Sequence, residues 1–155
     1  MGIYKLNAFT NFQTRKCSTV LKVLDKHYMF KGSRDEQMCC FDMMEGMQVR
    51  ETNETKIIAG FLCKKAIISL PSTQESFDIY YTEEITLKNP NSTNPYKEIK
   101  GVLMEFELQL LYLKMRFVAN NYQKIESNNF NAGLNENGRQ VTRWQMTQIL
   151  KKLME

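Results

Sequence analysis

The sequence predicts a mainly β protein of the α+β class, an antiparallel sheet closed by a C-terminal amphipathic helix, and three observations predict it. Apolar and polar residues alternate with period two over residues 77–82 and again over 102–119, the mark of strands that bury one face. An apolar, β-branched run over residues 57–70 stops at Pro71 and a polar turn. Near the end, Thr142 and Gln145 form a capping box ahead of Met146, Ile149, Leu150 and Leu153, which recur at helical spacing.

The chain has 155 residues, 43% of them hydrophobic and 25% charged. That length suits a single domain over residues 1–155, with enough buried surface to fold without a metal or disulfide staple. The composition excludes a disordered chain, and the short apolar runs exclude a membrane span. A net charge of +4 comes from 21 Lys and Arg scattered among 17 Asp and Glu, with Lys64-Lys65 and Lys151-Lys152 the basic doublets. No basic stripe forms, so no nucleic-acid partner is expected. The N-terminus lacks the pattern of a signal peptide, and Leu6 stands where a myristoylation signal needs Ser or Thr.

In chain order, residues 3–9 and 19–24 read as short strands. A polar turn over residues 31–36 precedes Met38-Cys39-Cys40-Phe41, an apolar run suited to a strand, and a glycine turn follows at Gly46. Residues 49–53 read as another short strand. In the run over residues 57–70, Leu62, Ala66, Ile68 and Leu70 share one face, and Gly60 marks a bulge or bend. Phe77, Ile79 and Tyr81 share a face of the next strand, which pairs back across the Pro71 turn. Residues 88–95, rich in Asn and Pro, have the composition of an exposed loop.

A second hairpin follows, with Val102, Met104, Phe106 and Leu108 on one face of its first strand and Leu111, Leu113, Met115 and Phe117 on the matching face of its second. Glu105 and Glu107 fall on the opposite, solvated face. Residues 126–140 read as a surface loop before the terminal helix.

No catalytic constellation emerges, and no enzyme activity is expected. His27 is the sole histidine and no local signature pairs it with Cys39 or Cys40. The adjacency of Cys39 and Cys40 and the lack of a CxxC spacing argue against zinc, so Cys17, Cys39, Cys40 and Cys63 read as buried thiols. No glycine-rich phosphate cradle occurs, and no cofactor is expected. The carboxylate pairs Glu83/Glu84 and Glu105/Glu107 are better explained as solvated faces than as an acid/base pair. Ten methionines are the compositional oddity. They suit either core filling or a surface adapting to apolar partners.

Residues 56–66, Lys-Ile-Ile-Ala-Gly-Phe-Leu-Cys-Lys-Lys-Ala, followed by Tyr80-Tyr81-Thr82-Glu83-Glu84-Ile85 and Gly101-Val102-Leu103-Met104-Glu105, resemble the GLPGLI-type and related uncharacterised exported proteins of Bacteroidota. The resemblance covers about half of the chain, residues 56–117. The name motif is here Glu98-Ile99-Lys100-Gly101-Val102-Leu103, without the first glycine and the proline, which points to a related branch. The resemblance implies a periplasmic or outer-membrane-associated setting and a sheet curved into a half-barrel, loosely like lipoprotein carriers.

Two functions follow as expectations. In the first, the sheet face of Phe77, Ile79, Tyr81, Met104, Phe106, Leu113, Met115 and Phe117 holds an apolar ligand, a lipid or lipoprotein acyl chain, beneath a lid formed by the C-terminal helix. In the second, the same face is a filled core and the protein is an envelope interaction or scaffold protein that meets a protein partner through its surface.

Overall fold

The computed structural model describes residues 4–126 and 138–155. Its two sheets and one long helix bear out the mainly β reading with a C-terminal helix. The first sheet has the order β1-β2-β3-β9, from Tyr4–Asn11, Lys16–Val23, Lys26–Lys31 and Arg139–Gln140. The second is a five-stranded meander, β4 (Gln48–Ile58), β5 (Phe61–Leu70), β6 (Glu75–Thr82), β7 (Val102–Leu110) and β8 (Leu113–Val118). Every pair is antiparallel except β3 with β9. Among the described residues the architecture is therefore two sheets, with no closed barrel.

Several local expectations are corrected. Strand β3 follows β2 so closely that the sequence reading missed it, because Leu24 and Asp25 make a two-residue connection with Leu24 at φ +51°. Residues 38–41 form no strand. Cys40 sits at φ +77°, and a 3-10 turn (Asp42–Met44) follows. The run over residues 57–70 is split by a tight turn in which Ala59 (φ +50°) and Gly60 (φ +85°) both take the left-handed conformation. That geometry matches the twist of a two-residue hairpin, so Gly60 is a turn residue and not a bulge. The bulge lies opposite, where the register shifts between Glu51 and Thr55. It reverses the inward face of β5, leaving Leu62 49% exposed and Cys63 buried. The expected surface loop at residues 126–140 ends in β9, and its residues 127–137 lie outside the described residues, as does Ile3 of the first expected strand.

The helix α1 (Arg143–Met154) begins as its capping box dictates. The Thr142 hydroxyl accepts from the Gln145 amide at 3.2 Å, and the Gln145 side chain accepts from the Thr142 amide at 2.9 Å. It lies on the first sheet. Met146 and Leu150 are fully buried among Leu21, Phe30, Cys39 and Cys40, with Leu110 and Leu111 from the end of β7 closing the cluster. Arg143 pins its start. The guanidinium lies 5.2 Å from the Phe30 ring, donates to the carbonyls of Gln37 and Met38, and pairs with Glu36 at 3.5 Å. Cys39 and Cys40 are joined by a disulfide, against the expectation drawn from their adjacency, while Cys17 and Cys63 are buried free thiols. Burial pushes both free thiols above their ordinary pKa.

A second correction concerns Glu105. The β6–β7 register slips between Tyr80 and Tyr81, so that Tyr80 faces Glu105 while Tyr81 faces Leu103. The slip turns Met104 and Glu105 inward in succession, and Glu105 is only 5% exposed instead of solvated. Lys56 reaches it at 2.7 Å and Arg116 pairs with its other oxygen. These two cations hold the carboxyl below its usual range, Lys56 most strongly, and burial only partly opposes them. Because both cations are half-exposed, they regain water if the carboxylate is removed. Glu105→Gln should therefore cost only about 1–2 kcal/mol at pH 7. A depressed folded-state pKa gives stability that is full above the unfolded carboxylate value, about 4.3, and is lost as pH falls through the folded value. Urea titrations at neutral pH and near pH 3 should show the gap between wild type and variant closing on acidification.

Candidate functional site

The eight residues expected to line an apolar ligand site do not form one open face. Ile79 and Tyr81 are buried in a core with Ala66, Ile68 and Leu70, which Phe77 and Phe106 flank. Met104, turned over by the β7 slip, packs instead with Ile58 and Cys63. Leu113 and Phe117, on the edge strand β8, are 47% and 41% exposed, and Met115 joins the helix cluster. The Tyr81 hydroxyl donates to Glu51 at 2.9 Å, and its pKa is pushed up to about 12, chiefly by burial and then by the Glu51 carboxylate.

The face these residues were expected to share is covered, but not by the helix. The connection between β6 and β7, read as an exposed loop over residues 88–95, folds back across the sheet. Its Tyr96 is fully buried, edge-on to Phe106 at 6.0 Å, and its hydroxyl donates to the Glu107 carbonyl. Ile99 is buried beside it. Asn91, also buried, donates its amide to the carbonyls of Ile99 at 2.7 Å and Gly101 at 2.9 Å, so the loop carries its own polar bracing. Thr93 bonds Thr10 of the first sheet at 2.7 Å. Beside Phe77 and Leu108 the remaining space is about 10 Å³, less than a ligand of even a few heavy atoms needs. Methionines mostly fill gaps here, with Met29, Met44, Met104 and Met146 all buried.

Two apolar concavities lie beside α1. One, of about 380 Å³, is walled by Val23, Leu24, Tyr28, Ile149 and Leu153. A second, of about 360 Å³, continues it through Tyr28 and Ile149 to Val141 and Trp144. Leu24 and Trp144 are each 70% exposed, large apolar side chains standing at the two ends. Lys26, Lys152 and Arg139 border the groove, against one carboxylate, Asp25. None of these four charges has an ion-pair partner among the described residues. The sequence reading missed this groove because its walls come from a two-residue turn and a helix more than a hundred residues apart. The sole signal was Trp144, an aromatic on the polar side of an otherwise regular helical pattern.

Among the described residues no group of three or more His, Cys, Asp or Glu side chains is arranged to hold a metal, and no helix is long and apolar enough to cross a membrane. No family model matches the chain, and no curated protein does. Its fold is similar to that of two solved structures of PNGF-II. One, in a C2 crystal, has a TM-score of 0.59 at 16% identity over 93% of this chain and 24% of that one. The other, in a P21 crystal, has a TM-score of 0.58 at 13% identity over 96% of this chain and 25% of that one. The chain thus spans about a quarter of the length of the structures it matches, and the likeness is one of fold.

Proposed function

We propose that this domain is a non-catalytic interaction module that docks an acidic, apolar-faced segment of a partner protein in the groove beside α1. The observation that carries the reading is the pairing of an exposed apolar groove with three cations that have no described ion-pair partner. The groove side of the helix runs from Trp144 to Leu153, about 14 Å, which suits an amphipathic helix offering anchors at i, i+4 and i+7. Carboxylates flanking those anchors would meet Lys26, Lys152 and Arg139, adding orientation and association rate. A concave floor favours an inserted polypeptide over a flat lipid surface. A fold that accounts for a quarter of longer chains also suits a module that packs against other protein.

Apolar contact thus stays part of the function, as in the carrier expectation, but moves from the filled sheet face to the helix groove. In the envelope setting that the GLPGLI resemblance implies, the partner is another envelope protein.

Trp144 is the sole tryptophan, so its emission reports on the groove directly. Titration with a synthetic Leu/Glu amphipathic helix should give a saturable blue shift that weakens with salt. Its Leu/Lys counterpart should give none. Leu24→Asn should abolish the shift without loss of stability, since asparagine tolerates the left-handed backbone that Leu24 adopts. Equal responses to both peptides, or a response to anionic vesicles alone, would overturn the reading.

A further inference from the structure

The disulfide between Cys39 and Cys40 joins neighbouring residues, so it closes no length of chain and contributes little as a staple against unfolding. Its surroundings give it another use. Both residues are buried in the cluster that seats α1 on the first sheet. From α1, the Thr147 hydroxyl oxygen stands 3.7 Å from each sulfur, and the Arg143 carbonyl stands 3.7 Å from that of Cys39. From the β7–β8 turn, the Leu111 amide donates to the Cys40 carbonyl at 3.2 Å. The Arg143 guanidinium, donating to the carbonyls of Gln37 and Met38, ties the same segment to the start of the helix. The backbone around the two cysteines therefore sets where α1 rests.

The oxidised and reduced forms of this pair differ in shape, yet each has its partners. Cys40 holds φ +77°, a left-handed conformation that a residue with a β-carbon keeps only where something imposes it. Opening the bond lifts the constraint that the small ring places on this backbone, and it moves the sulfurs from bonded to non-bonded separation, an increase of about 1.5 Å. A close-packed interior accommodates such an expansion by moving a neighbour, and Thr147, in contact with both sulfurs, is the neighbour in the way. Each new thiol also finds an acceptor. Thr147 Oγ1 donates its own proton to the Arg143 carbonyl at 3.0 Å, which leaves its lone pairs for an S–H from either cysteine.

We propose that the Cys39–Cys40 pair is a redox switch that sets how α1 seats on the first sheet, tightly in the disulfide form and loosely in the dithiol form. The reductant is a dithiol. One of its thiolates attacks a sulfur of the pair, and the Cys39–Cys40 bond breaks with its electrons passing to the other sulfur, which takes up a proton. The second thiol of the reductant then resolves the mixed disulfide, freeing the second cysteine as a thiol and leaving the reductant as its own disulfide. The protein gains two electrons and two protons, and the reductant loses them. Attack follows transient lifting of α1, since both sulfurs are enclosed. Thr147 lies within one helical turn of Trp144 and Gln148, which line the groove beside α1, so the seat of the helix also sets that wall. Control of the groove rests on the docking reading above, whereas the seating of α1 does not.

Amide hydrogen exchange of the full chain, held oxidised with glutathione disulfide or reduced with dithiothreitol, tests the proposal. Alkylation under denaturing conditions should count two thiols in the oxidised chain and four in the reduced one. Amides of α1 and of residues 37–41 should exchange about tenfold faster in the reduced chain, those of β5 and β6 should keep their rates, and reoxidation should restore the slow pattern. Cys39→Ser/Cys40→Ser, which cannot form the bond, should exchange like the reduced chain in both buffers. The wild-type comparison decides the matter alone if the two serines prevent folding. Four alkylated thiols after treatment with glutathione disulfide overturn the proposal, and so does equal exchange of α1 in the two forms. Faster exchange spread evenly over both sheets overturns it as well, because that is the loss of a staple and not of a helix seat. The Leu/Glu helix should bind the reduced chain about tenfold more weakly, and equal binding to both forms overturns control of the groove. A peptide bound by neither form counts against the docking reading alone, and the exchange result still decides the switch.

Discussion

Tyr96→Ala is expected to lower the free energy of unfolding by about 3–5 kcal/mol, the range for removing a fully buried aromatic side chain. The ring is the largest part of the plug over the second sheet, and its edge-on contact with Phe106 adds to what burial contributes. The hydroxyl is also engaged, donating to the Glu107 carbonyl, and burial raises its pKa above that of a free phenol. Tyr96→Phe should consequently lose about 1–2 kcal/mol, because the ring remains and one buried carbonyl loses its partner. Urea denaturation of the three proteins separates the packing and hydrogen-bond contributions. A loss below about 1 kcal/mol for the alanine variant would mean that the loop does not seal the sheet, and would return the sheet face to contention as an apolar ligand site.

Gly101→Ala is the second large effect, expected at about 2–3 kcal/mol. A β-carbon there would stand 2.5 Å from the Thr82 carbonyl oxygen, 2.7 Å from Tyr81 Cδ2 and 2.9 Å from the Thr82 carbonyl carbon. Two of those three atoms are backbone at the place where β6 meets β7, so relief requires the strands to part. Gly60 is the instructive contrast. Nothing lies within 4 Å of its added β-carbon, and only its φ of +85° resists substitution, so Gly60→Ala should cost about 1 kcal/mol. Thermal unfolding of the two variants side by side checks the order. A smaller shift for Gly101→Ala than for Gly60→Ala would show that the β6–β7 junction yields easily.

Of these two glycines, Gly60 was expected to permit a bend. Gly60 does so, but Gly101 is set by the space available, a property of the strand that packs against it and not of its own backbone.

Local patterning carried most of the secondary structure. Alternation along residues 77–82 and 102–119 was enough to place β6, β7 and β8 and their pairing, and the capping box at Thr142 located the start of α1 to the residue. Strand β3 escaped because two residues separate it from β2, leaving little turn chemistry to mark the break. Among the candidate site residues, alternation alone placed Met104 with Ile79 and Tyr81. One slipped register between β6 and β7 moved it to another cluster and buried the neighbouring Glu105.

The sequence by itself determined the class of this protein, its antiparallel pairing and its terminal helix, because period-two alternation and capping chemistry act between residues close in the chain. Only the tertiary structure decided what covers each sheet. The Asn-rich loop was expected in solvent, yet it buries Tyr96 and Ile99 once Asn91 satisfies the loop's carbonyls internally. The helix was expected over Phe77 and Phe106, yet it lies on the first sheet, held by Arg143 and the cluster around Leu150. Choices of that kind depend on which surfaces fit together after long-range folding. The same choice left Trp144, Ile149 and Leu24 beside an open groove, and of the three only Trp144, on the polar side of its helix, stands apart in the sequence from residues that fold into a core.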